Sequence, residues 1–133
     1  MIRVAAVAAM VAFAGCTSST SLRDVDVFDL RLSEEALLGT WELVYLTSSG
    51  QMGPPETRRA REGQETLVFS ENGMVTVTIG DQIIETETYQ VVQTEYASEL
   101  VMGGRGVIAG ISGGRLYLDD RPVDGSLQEY HRR

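Results

Sequence analysis

A chain of 133 residues is sized for a single domain. Its 43% hydrophobic and 23% charged residues are ordinary for a folded globular domain. The 11 cationic residues are all Arg and stand against 19 acidic ones, for a formal net charge of -8. That balance argues against nucleic acid as a partner, since affinity there comes from cations neutralising phosphates, and against broad electrostatic adhesion to anionic lipid heads.

The first segment supplies another route to a membrane. Met1-Ile2-Arg3 is a short positive start, and residues 4–14, VAAVAAMVAFA, form an apolar run. The run has the length of an export-signal core and falls short of the about 20 apolar residues that span a bilayer. It leads into Gly15 and Cys16, the sole cysteine, so no disulfide forms within the chain. The stretch FAGC resembles the lipobox of bacterial lipoproteins: Ala14, Gly15 and Cys16 match, and Phe13 stands where the family usually has Leu. The resemblance implies that residues 1–15 are a signal peptide and that Cys16 becomes an acylated first residue, attaching the protein to the membrane. Two or three acyl chains make a stable anchor where one binds only marginally. Thr17 replaces the Asp that typically retains enterobacterial lipoproteins in the inner membrane. By the same resemblance, that implies an outer-membrane place in the cell envelope.

TSSTS, residues 17–21, carries too little apolar surface to fold. The acylated Cys and a flexible tether are therefore assigned to residues 16–32, and the folded domain to residues 33–133. Within the tether, LRDVDVFDLRL alternates acidic and apolar residues and reads as an extended segment at the domain's edge. SEEALLG then reads as one or two helical turns, with Ser33 as N-cap, Glu34 and Glu35 at the positive end, and Gly39 as the stop.

From Thr40 onward helical periodicity disappears. TWELVYLT, ETLVFS, MVTVTI, IIETETYQVVQ, ASELVM, GVIAGI, RLYLD and SLQEYH are short runs of β-type residues separated by turn chemistry such as ENG and Gly-Gly pairs. In MVTVTI, Val75, Val77 and Ile79 share one face and Thr76 and Thr78 the other, the half-buried strand pattern. About eight strands without a crossover helix predict an all-β fold. The expected form is a small eight-stranded antiparallel up-and-down barrel preceded by a short helical turn, closure removing the exposed edges. The one long connection, residues 48–64, is bent by Pro54-Pro55 and has the length of a lid or binding loop.

LLGTWEL at the first strand, with Gly39 and Trp41, resembles the G-x-W signature that opens lipocalins and bacterial lipocalin-like domains. The resemblance implies that Trp41 closes one barrel end and that a late Arg, Arg132 or Arg133, packs across its ring. An eight-strand interior is just wide enough to be filled by side chains or to hold one small ligand. Candidate inward residues are Trp41, Leu43, Tyr45, Leu67, Phe69, Val75, Val77, Ile79, Leu116 and Leu118. Their bulk favours a packed interior over a large cavity. In a hollow barrel Trp41, Tyr45, Phe69, Tyr89 and Tyr117 would line the site of a small apolar or amphipathic ligand. In a solid one, an envelope protein would be the partner, with Arg58, Arg59 and Arg61 as contact residues.

Nothing in the sequence has catalytic or metal-ligand spacing, and no cofactor or enzymatic activity is expected. The sole histidine, His131, lacks neighbours at ligand spacing and reads as a polar residue of the last strand. Glu85 and Glu87 share a strand face and read as solvated carboxylates. Asp119, Asp120 and Asp124 lack the spacing of a calcium loop and read as a hairpin turn. Gly104, Gly106 and Ala109 formally fit G-x-G-x-x-A, but a turn and strand follow where pyrophosphate binding needs a helix. Glu62, four residues after Arg58, has the spacing of a local helical ion pair.

Overall fold

The structure, a computed structural model, describes residues 26–48, 54–121 and 125–133. The expected helical turn is α1, Glu34–Leu37, capped as its sequence predicts: Ser33 Oγ accepts from Ala36 N at 3.1 Å. Nine strands follow among the described residues: β1 Gly39–Ser48, β2 Thr57–Arg59, β3 Glu65–Phe69, β4 Met74–Ile79, β5 Gln82–Gln93, β6 Ser98–Met102, β7 Arg105–Ser112, β8 Arg115–Asp119 and β9 Ser126–Arg132. All pairings are antiparallel; β1 and β3 to β9 follow one another in chain order, and β9 returns to β1, so eight strands close into a barrel. The expected fold class holds.

The ninth strand, β2, was expected to be loop. It pairs with the outer half of β1 (Tyr45 opposite Arg59, Thr47 opposite Thr57), while β3 pairs with the inner half of β1 on the same edge. Ala60 N donates to Val44 O at 2.7 Å, a turn closes with Gln64 N on Arg61 O, and β3 resumes. The two short strands thus form one interrupted barrel wall. Extended backbone at Arg58 separates it from Glu62, and the helical ion pair expected there does not form.

Tyr45 corrects a second expectation. A register shift between Leu43 and Tyr45 inserts one residue into β1 opposite β9. A bulge reverses the alternation of faces beyond it. Trp41 and Leu43 point into the barrel with Leu67, Phe69, Val75 and Leu116, and beyond the bulge Leu46, not Tyr45, packs against this core. Tyr45 joins a separate cluster with Val27, Tyr117 and Leu127. Because Leu116 and Leu118 flank Tyr117 on β8 and belong to the interior, that cluster lies on the outer wall. Ile79, another expected inward residue, is 51% exposed at the end of β4.

The outer cluster also corrects the domain boundary. Residues 26–32, assigned to the tether, run down the outside of the barrel. Val27 is fully buried against Tyr117 and Leu127, and a 3-10 turn at Val27–Asp29 is capped by Asp26. Farther down, Ile111 N donates to Arg31 O at 3.3 Å, Leu32 N to Ser98 Oγ at 3.0 Å and Gln93 Nε2 to Leu32 O at 2.6 Å. The folded unit therefore includes Asp26 onward.

Gly110 on β7 makes this docking possible, since a Cβ there would collide with Leu30 Cβ, an atom fixed to its backbone. Gly110→Ala is expected to lift the segment and lower stability by about 1–3 kcal/mol, the usual cost of overpacking. At Gly106 the obstacle is the Glu99 carboxylate, the free end of a side chain that can rotate away. Gly106→Ala should shift the urea midpoint far less than Gly110→Ala, and equal shifts would contradict the docking argument.

Candidate functional site

The barrel has two unlike ends. β1, β4, β6 and β8 all run toward one of them, and α1 sits at the other. At the α1 end the interior is shut by Trp41, which is fully buried and donates its indole N–H to Leu37 O at 2.7 Å. The guanidinium of Arg132 lies 4.2 Å from the ring centroid of Trp41. It also donates to Leu38 O at 2.7 Å and Ala36 O at 2.6 Å. A cation over an indole face is attracted by the ring's quadrupole, and the same group satisfies carbonyls at the end of α1. Arg133 turns away to Glu42, 3.2 Å from Oε2. Of the two Arg residues left open by the sequence, Arg132 stacks on Trp41. Gly39 has φ 118° and its missing side chain leaves room for Arg132, whose Nη1 lies 3.0 Å from where a Cβ would stand.

Above this closure the interior holds the buried apolar core. Phe69 and Tyr89 meet edge to face with centroids 5.0 Å apart, and the Tyr89 hydroxyl donates to Ser70 O at 3.1 Å. These two of the expected ligand-lining aromatics are core residues. The other two, Tyr45 and Tyr117, stand on the outer wall, so the four do not line one cavity. Tyr130 completes the filling. It is 1% exposed and donates its hydroxyl to Glu65 Oε2 at 2.7 Å. Burial first, then the charge and hydrogen bond of Glu65, hold this phenol well above its ordinary range. The sequence reading missed Glu65, although it shares β3's inward parity with Leu67 and Phe69.

The opposite end is open among the described residues. A cavity of about 630 Å³ is lined by Leu46, Ser48, Glu56, Thr57, Arg58 and Ser126. Arg58 stands opposite Leu46 in the β1–β2 register, and Ser126 opposite Ser48 in the β1–β9 register. Directly opposed residues project to the same face, so Leu46, Ser48, Arg58 and Ser126 all face the mouth. Arg59 stands opposite Tyr45 on the outer face, and Arg61 follows in the turn. The three arginines therefore do not act as one cluster; Arg58 alone among them lines the cavity. Leu46 gives this mouth apolar surface, Arg58 a cation and Glu56 a carboxylate, and Ser48 Oγ accepts from Glu56 N at 3.3 Å. Its volume falls within the roughly 300–1,000 Å³ of ordinary ligand sites.

Farther around the rim, Glu85 and Glu87 are on the Tyr89 face of β5, not an outward one, yet Glu85 remains exposed. Hydrogen bonding to Glu85, then desolvation and repulsion, raise the Glu87 carboxyl, with Arg105 opposing. His131 Nε2 lies 2.9 Å from Glu129 Oε1 on β9. Asp119 accepts from Arg121 Nε at 2.9 Å and Nη2 at 2.7 Å, while Asp124 lies outside the described residues. Among the described residues no three His, Cys, Asp or Glu side chains are grouped to hold a metal ion. Cys16 and the rest of residues 1–25 lie outside the described residues, as do residues 49–53 of the long connection. No helix among the described residues is long and apolar enough to cross a membrane. No protein-family model matches this chain, and no curated protein matches it.

Proposed function

We propose that this protein is a lipid-anchored lipoprotein of the bacterial cell envelope whose lipocalin-like barrel binds one small apolar or amphipathic ligand without transforming it. The observation that carries the binding role is the asymmetry of the barrel. One end is shut by Trp41 beneath Arg132, the middle is packed, and the other end opens on a cavity of about 630 Å³. The stacked Arg132–Trp41 pair supports the lipocalin-like reading, and the lipobox-like FAGC supports acylation of Cys16. Because bulky side chains occupy the core, the ligand sits at the mouth with its apolar part on Leu46 and its polar part at Arg58.

Cys16→Ser is expected to abolish acylation and release the protein from membranes, as read by mass and fractionation. Intact acylated protein from that variant would refute the anchor. The ligand is tested by native mass spectrometry of the chain from Thr17 onward, which retains every described residue. Extra mass lost on denaturation is the expected result, and Leu46→Trp should remove it by filling the cavity. A clean apo mass for the unaltered chain would favour the other reading, a solid barrel that contacts an envelope protein.

A further inference from the structure

We infer that the open end of the barrel faces the lipid bilayer and rests on it through the tip of the β4–β5 hairpin. This orientation deepens the proposed function and rests on its anchor at Cys16.

The course of the N-terminal segment carries the argument. Val27 is buried against Tyr117 and Leu127. Leu127 pairs with Thr47 and Asp119, near the ends of β1 and β8 that form the mouth. From there the chain descends to Arg31, bonded to Ile111, and to Leu32, bonded to Ser98 and Gln93 at the closed side. The chain before Asp26 therefore joins the barrel at its open end. Ten residue steps separate Cys16 from Asp26. At most about 3.3–3.6 Å each, they hold the mouth within about 35 Å of an anchored Cys16.

The same end presents the apolar surface that such a position needs. Around the Gly80-Asp81 turn, Ile79 is 51%, Ile83 70% and Ile84 55% exposed. Ile79 stands opposite Gln82 and Ile83 opposite Thr78, so the two project from opposite faces and the apolar surface wraps the hairpin tip. Exposed apolar residues scattered singly are normal, whereas several together mark a contact surface. The upper part of β5 contributes to this surface because it extends past its neighbour β6: Gln82–Thr88 pairs with β4, while β6 reaches only Tyr89–Gln93. On the other side Gly80 N bonds the β2–β3 turn at Gly63 O, 3.1 Å away, which fixes the tip to the rim.

Charge sets the depth of the contact. Asp81 occupies the turn, and Glu85 and Glu87 follow on β5, so the hairpin lies at headgroup level with its isoleucines toward the acyl chains. With a formal net charge of -8 the contact is not electrostatic. The tether makes a weak apolar contact effective by raising the local concentration of the tip at the surface. A ligand of the mouth then exchanges with the bilayer beneath it, which makes a membrane amphiphile its natural class.

The test uses tryptophan as a depth probe in the full chain, processed in a bacterial host and reconstituted into phosphatidylcholine vesicles with brominated acyl chains. Ile83→Trp places the probe at the hairpin tip. Tyr96→Trp places it at the opposite end, where Tyr96 is 74% exposed. The buried Trp41 is the common background. Quenching of the Ile83→Trp probe at least about threefold stronger than that of Tyr96→Trp is expected. Equal quenching, or stronger quenching at position 96, overturns the inference. Blue-shifted emission at position 83 without quenching also overturns it, because a protein surface or a second copy would then cover the tip. The mass of the same sample separates the two readings. Acylated Cys16 with an unquenched tip refutes the orientation and leaves the anchor standing; a quenched tip with free Cys16 keeps the lipid contact and refutes the anchor.

Discussion

Trp41→Ala is expected to destabilise the barrel by about 3–5 kcal/mol, the range for removing a large buried aromatic. Domains of this size are stable by only about 5–15 kcal/mol, so the variant should be largely unfolded or markedly urea-sensitive near physiological temperature. The substitution removes a fully buried ring, its N–H bond to Leu37 O and the surface under Arg132. Arg132→Ala should cost less, about 1–2 kcal/mol, because its head is exposed and water can replace part of its bonding to Leu38 and Ala36. Since the two side chains touch, their effects should not add, and the double variant should be less damaged than the sum. Urea midpoints for the four proteins measure this coupling. Strict additivity would mean that the stack contributes nothing and that Arg132 acts on α1 alone.

The second large effect is alkaline unfolding centred on Tyr130. In the unfolded chain a tyrosine titrates near pH 10. In the fold, burial and then Glu65 hold the Tyr130 phenol protonated to much higher pH. Below about pH 10 both states keep the proton and this group makes stability neither rise nor fall. Above it the unfolded chain releases a proton that the fold retains, so stability declines with rising pH until the folded phenol also ionises. Tyr117 and Tyr89 are raised in the same direction, each chiefly by burial, and add to the decline. Tyr130→Phe is expected to be less stable at neutral pH by about 1–3 kcal/mol, since Glu65 loses its donor. It should show a shallower loss of stability between about pH 10 and pH 12. Equal alkaline slopes for the two proteins would contradict the assignment of this titration to Tyr130.

Tyr45 shows how far local pattern reaches. Its run, TWELVYLT, is legible as a strand because β-type residues crowd a short stretch, and period two places Trp41, Leu43 and Tyr45 on one face. The bulge after Leu43 breaks that period, and a bulge arises from the pairing of β1 with β9, which are distant in sequence. Tyr117 fails for a different reason. RLYLD is apolar on both faces, and its outer face is buried because residues 26–32 dock there, an arrangement that no period within β8 encodes. Arg58 and Arg59 are adjacent in sequence, and only their strand conformation sends one to the mouth and the other to the outer wall.

The order of the eight barrel strands, the turns between them and the Ser33 cap of α1 follow from the sequence alone, because each depends on residues within a few positions of one another. The proposal of a lipobox at FAGC likewise rests on local sequence, Cys16 lying outside the described residues. The choice of Arg132 over Arg133 as the cover of Trp41 belongs to the tertiary structure. So do the inclusion of residues 26–32 in the folded unit and the distinction between a shut end and an open mouth. Each of these depends on closing the sheet, which sets two distant strands in one register and thereby decides which side chains meet.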